Sequence, residues 1–158
     1  KGRTVKIEQT VSAAVAGLQL GDTFTFDELL RSVQDQRHRR LRIIELADLD
    51  THDGLCALWL ATETDDLVLH ARTDSTLHRQ QFILHELAHM ILGHCEGDDC
   101  TVDEALLPNI PPYTRGRLLR RQDLDNETEI AAESLADKLA AGIRGSVFAE
   151  SAFSEIFG

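Results

Sequence analysis

The spacing of apolar residues along this chain changes period several times, and each change marks an element. Within "TFTFDELLRSVQDQRHRR", Leu29, Leu30 and Val33 fall on one face of a helix. Thr25 is placed to cap its N-terminus, and Glu28, three residues on, completes a capping box. The arginines gather at the end where the helix dipole favours cations. A shorter helix is predicted upstream, around Val11 to Leu18. Three strand-like runs follow, "LRIIELA", "LCALWLAT" and "LVLHA", parted by the turn-like "DLDTHDG" and "ETDD". They read as a small, mostly antiparallel meander, with "DLVLHA" (Asp66 to Ala71) as an exposed edge strand.

The period then returns to that of a helix. Ser75 or Thr76 starts a long one running to about His94, stopped by "EGDD". Residues 100 to 123 are predicted to be irregular, because Pro108, Pro111 and Pro112 interrupt any helix. A second strong helix, "NETEIAAESLADKLAA", spans Asn126 to Ala141 and is predicted to stop at Gly142. A short amphipathic helix over 147–157 closes the chain. The expected architecture is α+β: a small sheet packed on helices, in a single domain over 1–158, with 1–23 as an N-terminal extension. The chain starts at Lys1 rather than Met, which leaves room for an upstream module.

Composition narrows the class. At 158 residues, 42% hydrophobic and 27% charged, the chain matches an ordinary globular protein. No apolar run approaches the ~20 residues of a membrane span. A net charge of −11 argues against a nucleic-acid surface, which needs a basic face. Two basic patches qualify this: Arg37 to Arg42, and Arg115, Arg117, Arg120 and Arg121. Such patches are ordinarily solvated faces, with guidance of an acidic substrate segment as the alternative. Three cysteines, Cys56, Cys95 and Cys100, form no CxxC, so a reducing cytoplasm is expected rather than a disulfide framework.

Candidate chemistry concentrates in "FILHELAHMILGHCEGDD". His85 and His89 lie one helical turn apart on one face, so both imidazoles can reach a point about 2.0–2.1 Å from each, as zinc requires. Glu86 is rotated to the side, where it can act on a water without ligating. This is the HExxH logic, in which the metal acidifies a water and the glutamate takes its proton and returns it to the leaving group. The helix is apolar nearly all round, hence buried. A core helix carrying two histidines and a glutamate without partners would cost several kcal/mol of desolvation, which coordination removes.

A catalytic zinc usually takes three protein ligands. Glu133 is the preferred third, with Asp137 one turn on. That pair resembles the gluzincin arrangement of a ligating glutamate and an aspartate that orients a histidine. Glu129 and His94 stand as alternatives, and the alanines 131, 132, 136 and 140 suit close approach of the two helices. The metzincin frame fails, because Leu92 and Cys95 occupy its glycine and histidine slots.

Taken together, "HRQQFILHELAHMILGH" and "ETEIAAESLADKLAAGI" resemble the ImmA/IrrE family of zinc-dependent metallopeptidases, over roughly Phe24 to Ile143. The family's Glu-Ala-Asn/Asp-x-Phe-Ala run has no counterpart in register, so Glu133 rests on helical geometry. The resemblance implies that His85 and His89 are zinc ligands and Glu86 is the catalytic base. It also implies a cytoplasmic regulator that cleaves or inactivates a helix-turn-helix repressor; the charge and the lack of a long apolar run add the expectation that it contacts neither nucleic acid nor membrane itself. The alternative is a catalytically silent, zinc-containing interaction domain that regulates a partner by binding.

Overall fold

A computed structural model describes residues 2–46, 57–62, 64–93 and 126–157. Over these the fold is α+β, with four helices and a three-stranded sheet. The helices are α1 (Gly2–Leu18), α2 (Phe26–Arg37), α3 (Thr76–Leu92) and α4 (Asn126–Phe157); the strands are β1 (Arg40–Leu46), β2 (Ala57–Ala61) and β3 (Asp65–Ala71). The three cysteines, His94, the prolines and the second arginine patch all lie outside the described residues.

The helix ends follow the chain's polar punctuation. Thr25 Oγ1 accepts from the Glu28 amide at 3.1 Å, while Glu28 Oε1 accepts from the Thr25 amide at 3.3 Å. This reciprocal pairing satisfies donors that the first turn would otherwise leave orphaned. Ser75 caps α3 by accepting from the His78 amide. Gly93 ends it in the left-handed conformation, φ 69°, donating to the carbonyls of His89 and Met90. The segment expected as an extension is largely helix. Ile7, Val11, Ala14, Val15 and Leu18 of α1 recur at helical spacing and pack into the common core.

The sheet departs from the expected meander. Its order is β1-β3-β2, with β3 antiparallel to β2 but parallel to β1, in the register Arg40↔Asp65 through Leu46↔Ala71. β3 is therefore the central strand and is buried along its whole length, not an exposed edge. The near-continuous apolar run of "LVLHA" is what a strand covered on both faces requires. Val68, Trp59 and Ile43 share a register row on the face that packs against the helices, together with Ile83, Leu84 and Leu87 of α3.

Gly142 does not end the second long helix. α4 runs unbroken through it to Phe157, absorbing the expected separate C-terminal helix. The glycine permits a close approach instead: a Cβ there would collide with the ring of Phe24, whose amide donates to the Gly142 carbonyl at 3.3 Å. Gly145 repeats the device against Thr23.

The first basic patch is also recruited inward. Asp65 and Asp66, at the start of β3, are both buried. Arg37 forks onto Asp66 through Nε and Nη2, and the Trp59 indole donates to the same carboxylate at 3.2 Å. The Arg37 guanidinium also lies 4.9 Å from the centre of the Trp59 ring. Arg39 reaches Asp66 and the carbonyls of Thr62 and Asp65. Arg40 and Arg42 serve Asp65. These arginines are not a free solvated face, because two adjacent buried carboxylates demand compensation.

Candidate metal centre

His85 and His89 sit on α3 one turn apart, and the helix phase carries both toward α4. Their Nε2 atoms lie 3.2 Å apart, with the rings edge to face at 81°. Glu129, in the first turn of α4, completes the group. One of its carboxylate oxygens is 3.3 Å from His85 Nε2 and the other 3.4 Å from His89 Nε2. Taking one ligand atom per residue, the three lie within 4.8 Å of one another and can hold a metal ion.

The donor chemistry fits a tetrahedral cation. Bonds of about 2.0–2.1 Å at tetrahedral angles place ligand atoms roughly 3.3–3.4 Å apart along each edge. Both histidine–carboxylate contacts and the histidine–histidine contact fall close to that edge length. Each histidine meets a different oxygen, so the carboxylate spans the pair, and a single oxygen serving both would have to close from the 4.8 Å spread of the three ligand atoms toward that edge. With both Nε2 atoms in the unprotonated tautomer, two imidazole lone pairs and a carboxylate are directed at one place, the donor set that coordination requires.

Exposure is graded across the group. His89 is nearly sealed, its side chain 4% exposed, while those of His85 and Glu129 are 32% and 30% exposed. The group is therefore anchored in the core on one side and open to small molecules on the other. Glu86 follows His85 by one residue, rotated by about 100° around the helix, and is buried at 7% exposure.

The expected third ligand, Glu133, does not join the group. It is exposed, as is Asp137, and among the described residues the metal-competent set is His85, His89 and Glu129. Glu129 is the alternative that the acidic row of α4 also offers. The signal that separates the two is helical phase: Ala132, Ala136, Leu139 and Ile143 mark the buried stripe of α4, and Glu129 lies closer to it than Glu133. The small residues expected to permit close packing do so, with Ala131, Ala132, Ala136 and Ala140 all buried. No described helix is long and apolar enough to cross a membrane. Comparison of the chain with protein-family models, with curated proteins and with solved structures finds no match.

Proposed function

We propose that this chain is a zinc-dependent endopeptidase of narrow specificity, with His85, His89 and Glu129 as metal ligands and Glu86 as the general base. The observation that carries the reading is the convergence of two histidines and a carboxylate, from two separate helices, with one ligand atom from each inside 4.8 Å of the others. Zinc bound there supplies Lewis acidity toward a carbonyl oxygen and toward water.

The chain's own residues account for the rest. His89 fixes the deep side of the site, because its burial leaves the imidazole little freedom. His85 and Glu129 form the open rim through which a peptide reaches the centre. The Glu86 carboxylate takes a proton from the attacking water and returns it to the leaving amine, a service typically worth 10²–10⁴-fold. A site built only to hold a structural zinc has no use for that carboxylate. The resemblance of the HELAH helix and the acidic helix to ImmA/IrrE peptidases supports zinc as the metal. It also supports a repressor-like regulatory protein as the substrate.

The test pairs metal analysis with a cleavage assay. Purified protein should carry about one zinc per chain, lost on His85→Ala or His89→Ala. Glu86→Gln should retain zinc, bind its repressor partner and leave it uncut. A protein that stays metal-free under zinc-replete conditions would refute the reading. A parent that binds partner and zinc yet never cleaves would instead make this a regulatory binding module.

A further inference from the structure

Arg37, the last residue of α2, reaches across to α3. Arg37 donates through Nη1 to the Met90 carbonyl at 3.5 Å. Met90 is the neighbour of His89, and its carbonyl is one of the groups that the C-terminal turn of α3 leaves without a helical partner. The Gly93 amide also donates to it, at 3.1 Å. The last turn of α3 is thus held from two sides, by its own cap and by a cation placed where the helix dipole favours one.

Arg37 is itself fixed with unusual completeness. Its Nε and Nη2 fork onto the buried Asp66, and its guanidinium faces the Trp59 ring. The Trp59 indole and Arg39 hold the same carboxylate from other directions. One side chain therefore joins the C-terminus of α2, the central strand, its antiparallel neighbour and the turn of α3 that carries His89. A planar fork over an aromatic ring is a rigid coupling that a lysine cannot reproduce.

We infer that Arg37 is a positioning residue for the metal centre: through the Met90 carbonyl it sets the depth and rotation of the α3 turn bearing His89, relative to His85 and Glu129. The inference rests on the proposed metal-binding role of those three residues. His89 is the most buried of them, so a shift of its turn cannot be absorbed by side-chain rotation alone. Groups that orient a ligand from outside the coordination shell typically govern metal affinity by 10–100-fold.

The test uses cobalt(II) as the probe, since its visible absorption reports the coordination geometry independently of any cleavage. Parent, Arg37→Met, Arg37→Lys and Val33→Ala proteins are titrated with cobalt against a chelator, and thermal stability is measured for each. Val33 is a buried α2 residue whose side chain makes none of the Arg37 hydrogen bonds, so Val33→Ala controls for a loss of stability in the same helix. Arg37→Met should weaken cobalt binding about tenfold or more and alter the spectrum. Arg37→Lys, which keeps the charge but not the fork, should fall between it and the parent. Val33→Ala should lower the melting temperature while leaving affinity and spectrum at parent values. Should Arg37→Met fail to fold, Arg37→Lys against Val33→Ala decides the matter by the same criteria. Arginine variants that match the parent in affinity and spectrum would overturn the inference alone. A parent that binds no cobalt would overturn the proposed function and this inference with it.

Discussion

Replacing Glu129 by alanine is the sharpest perturbation the site offers, because Glu133 supplies an internal control on the same helix. Structural zinc sites with four ligands bind with roughly 10–16 kcal/mol, so one ligand's share is roughly 2.5–4 kcal/mol. At 1.4 kcal/mol per tenfold, that is about 10²–10³ in Kd. The Glu129 side chain is 30% exposed, so water can replace it in part, and the lower end, about a hundredfold, is expected. Glu133 is exposed and lies a full turn on, about 6 Å further along the axis. Its charge acts on the ion only through solvent, over a distance comparable to the Debye length of ~8 Å, so its loss should change affinity by less than about threefold. Chelator-competition titrations of Glu129→Ala, Glu133→Ala and parent protein measure all three constants under one set of conditions. Equal losses, or a larger loss for Glu133→Ala, would refute the assignment of Glu129.

Three further outcomes follow from the same structure. If the proposed site binds its ion, stripping the metal should lower the melting temperature, because an ion held by His85, His89 and Glu129 would tie α3 to α4; at a hundredfold excess over Kd it would contribute about 2.7 kcal/mol, worth roughly 5–10 °C at this chain length, as calorimetry with and without chelator would show. Gly142→Ala gains up to ~1 kcal/mol of helix propensity but forces a Cβ into the Phe24 ring, an overpacking cost of about 1–3 kcal/mol. The expected result is net destabilisation in urea unfolding, whereas a stabilised variant would show that the ring moves aside freely. Hydrogen bonding from Arg40 holds the Asp65 carboxyl below its ordinary value, 3.8, despite the opposing effect of burial. A depressed folded-state pKa contributes stability that is complete above the unfolded value and is lost as pH falls through the folded one. Urea midpoints should therefore drop as the pH falls below about 4, and Arg40→Gln should flatten that drop.

Local signals in the chain were readable because the physics behind them is local. Thr25 with Glu28, and Ser75 before the HExxH helix, announce helix starts through donors that only nearby side chains can satisfy. Strand order is not of this kind. β1 and β2 are joined by residues 47–56, and nothing within either strand states that β3 will lie between them. The clue was the apolar continuity of β3, which an edge strand would not need. The inward turn of Arg37 and Arg39 was hidden for a related reason. Their partners, Asp65 and Asp66, stand more than twenty-five residues away in "ETDD", where two acidic residues read as turn chemistry. Gly142 carries a double signal: after a helical run a glycine reads as a stop, whereas its actual role, closeness to the Phe24 ring, depends on a residue far away in the chain.

The candidate site shows where spacing alone runs out. His85 and His89 were legible as a pair, since two residues four apart remain within reach of one point despite the offset between them. Extending the same rule along α4, to Glu129, Glu133 and Asp137, treats them as one face when they are not. A residue turns the helix by about 100°, so every four-residue step advances about 40° around the axis. From Glu129 to Asp137 the row thus drifts by about 80°, most of the way off the packed surface. The buried residues fix where that surface is: Ala132, Ala136, Leu139, Ala140 and Ile143. Glu129 lies near its edge, between Ala136 and Ala140 and about 20° from each, and its place in the first turn of α4, where the packed surface begins, leaves it partly exposed. Glu133 and Asp137 fall beyond Ala140 and meet solvent. A carboxylate that must meet two histidines on a packed neighbouring helix can only come from the boundary of the packed stripe. Buried at the centre it would clash with the apolar contacts, and one further step outward it would reach water instead. On α4 that boundary, on the side facing the two histidines, is the position of Glu129.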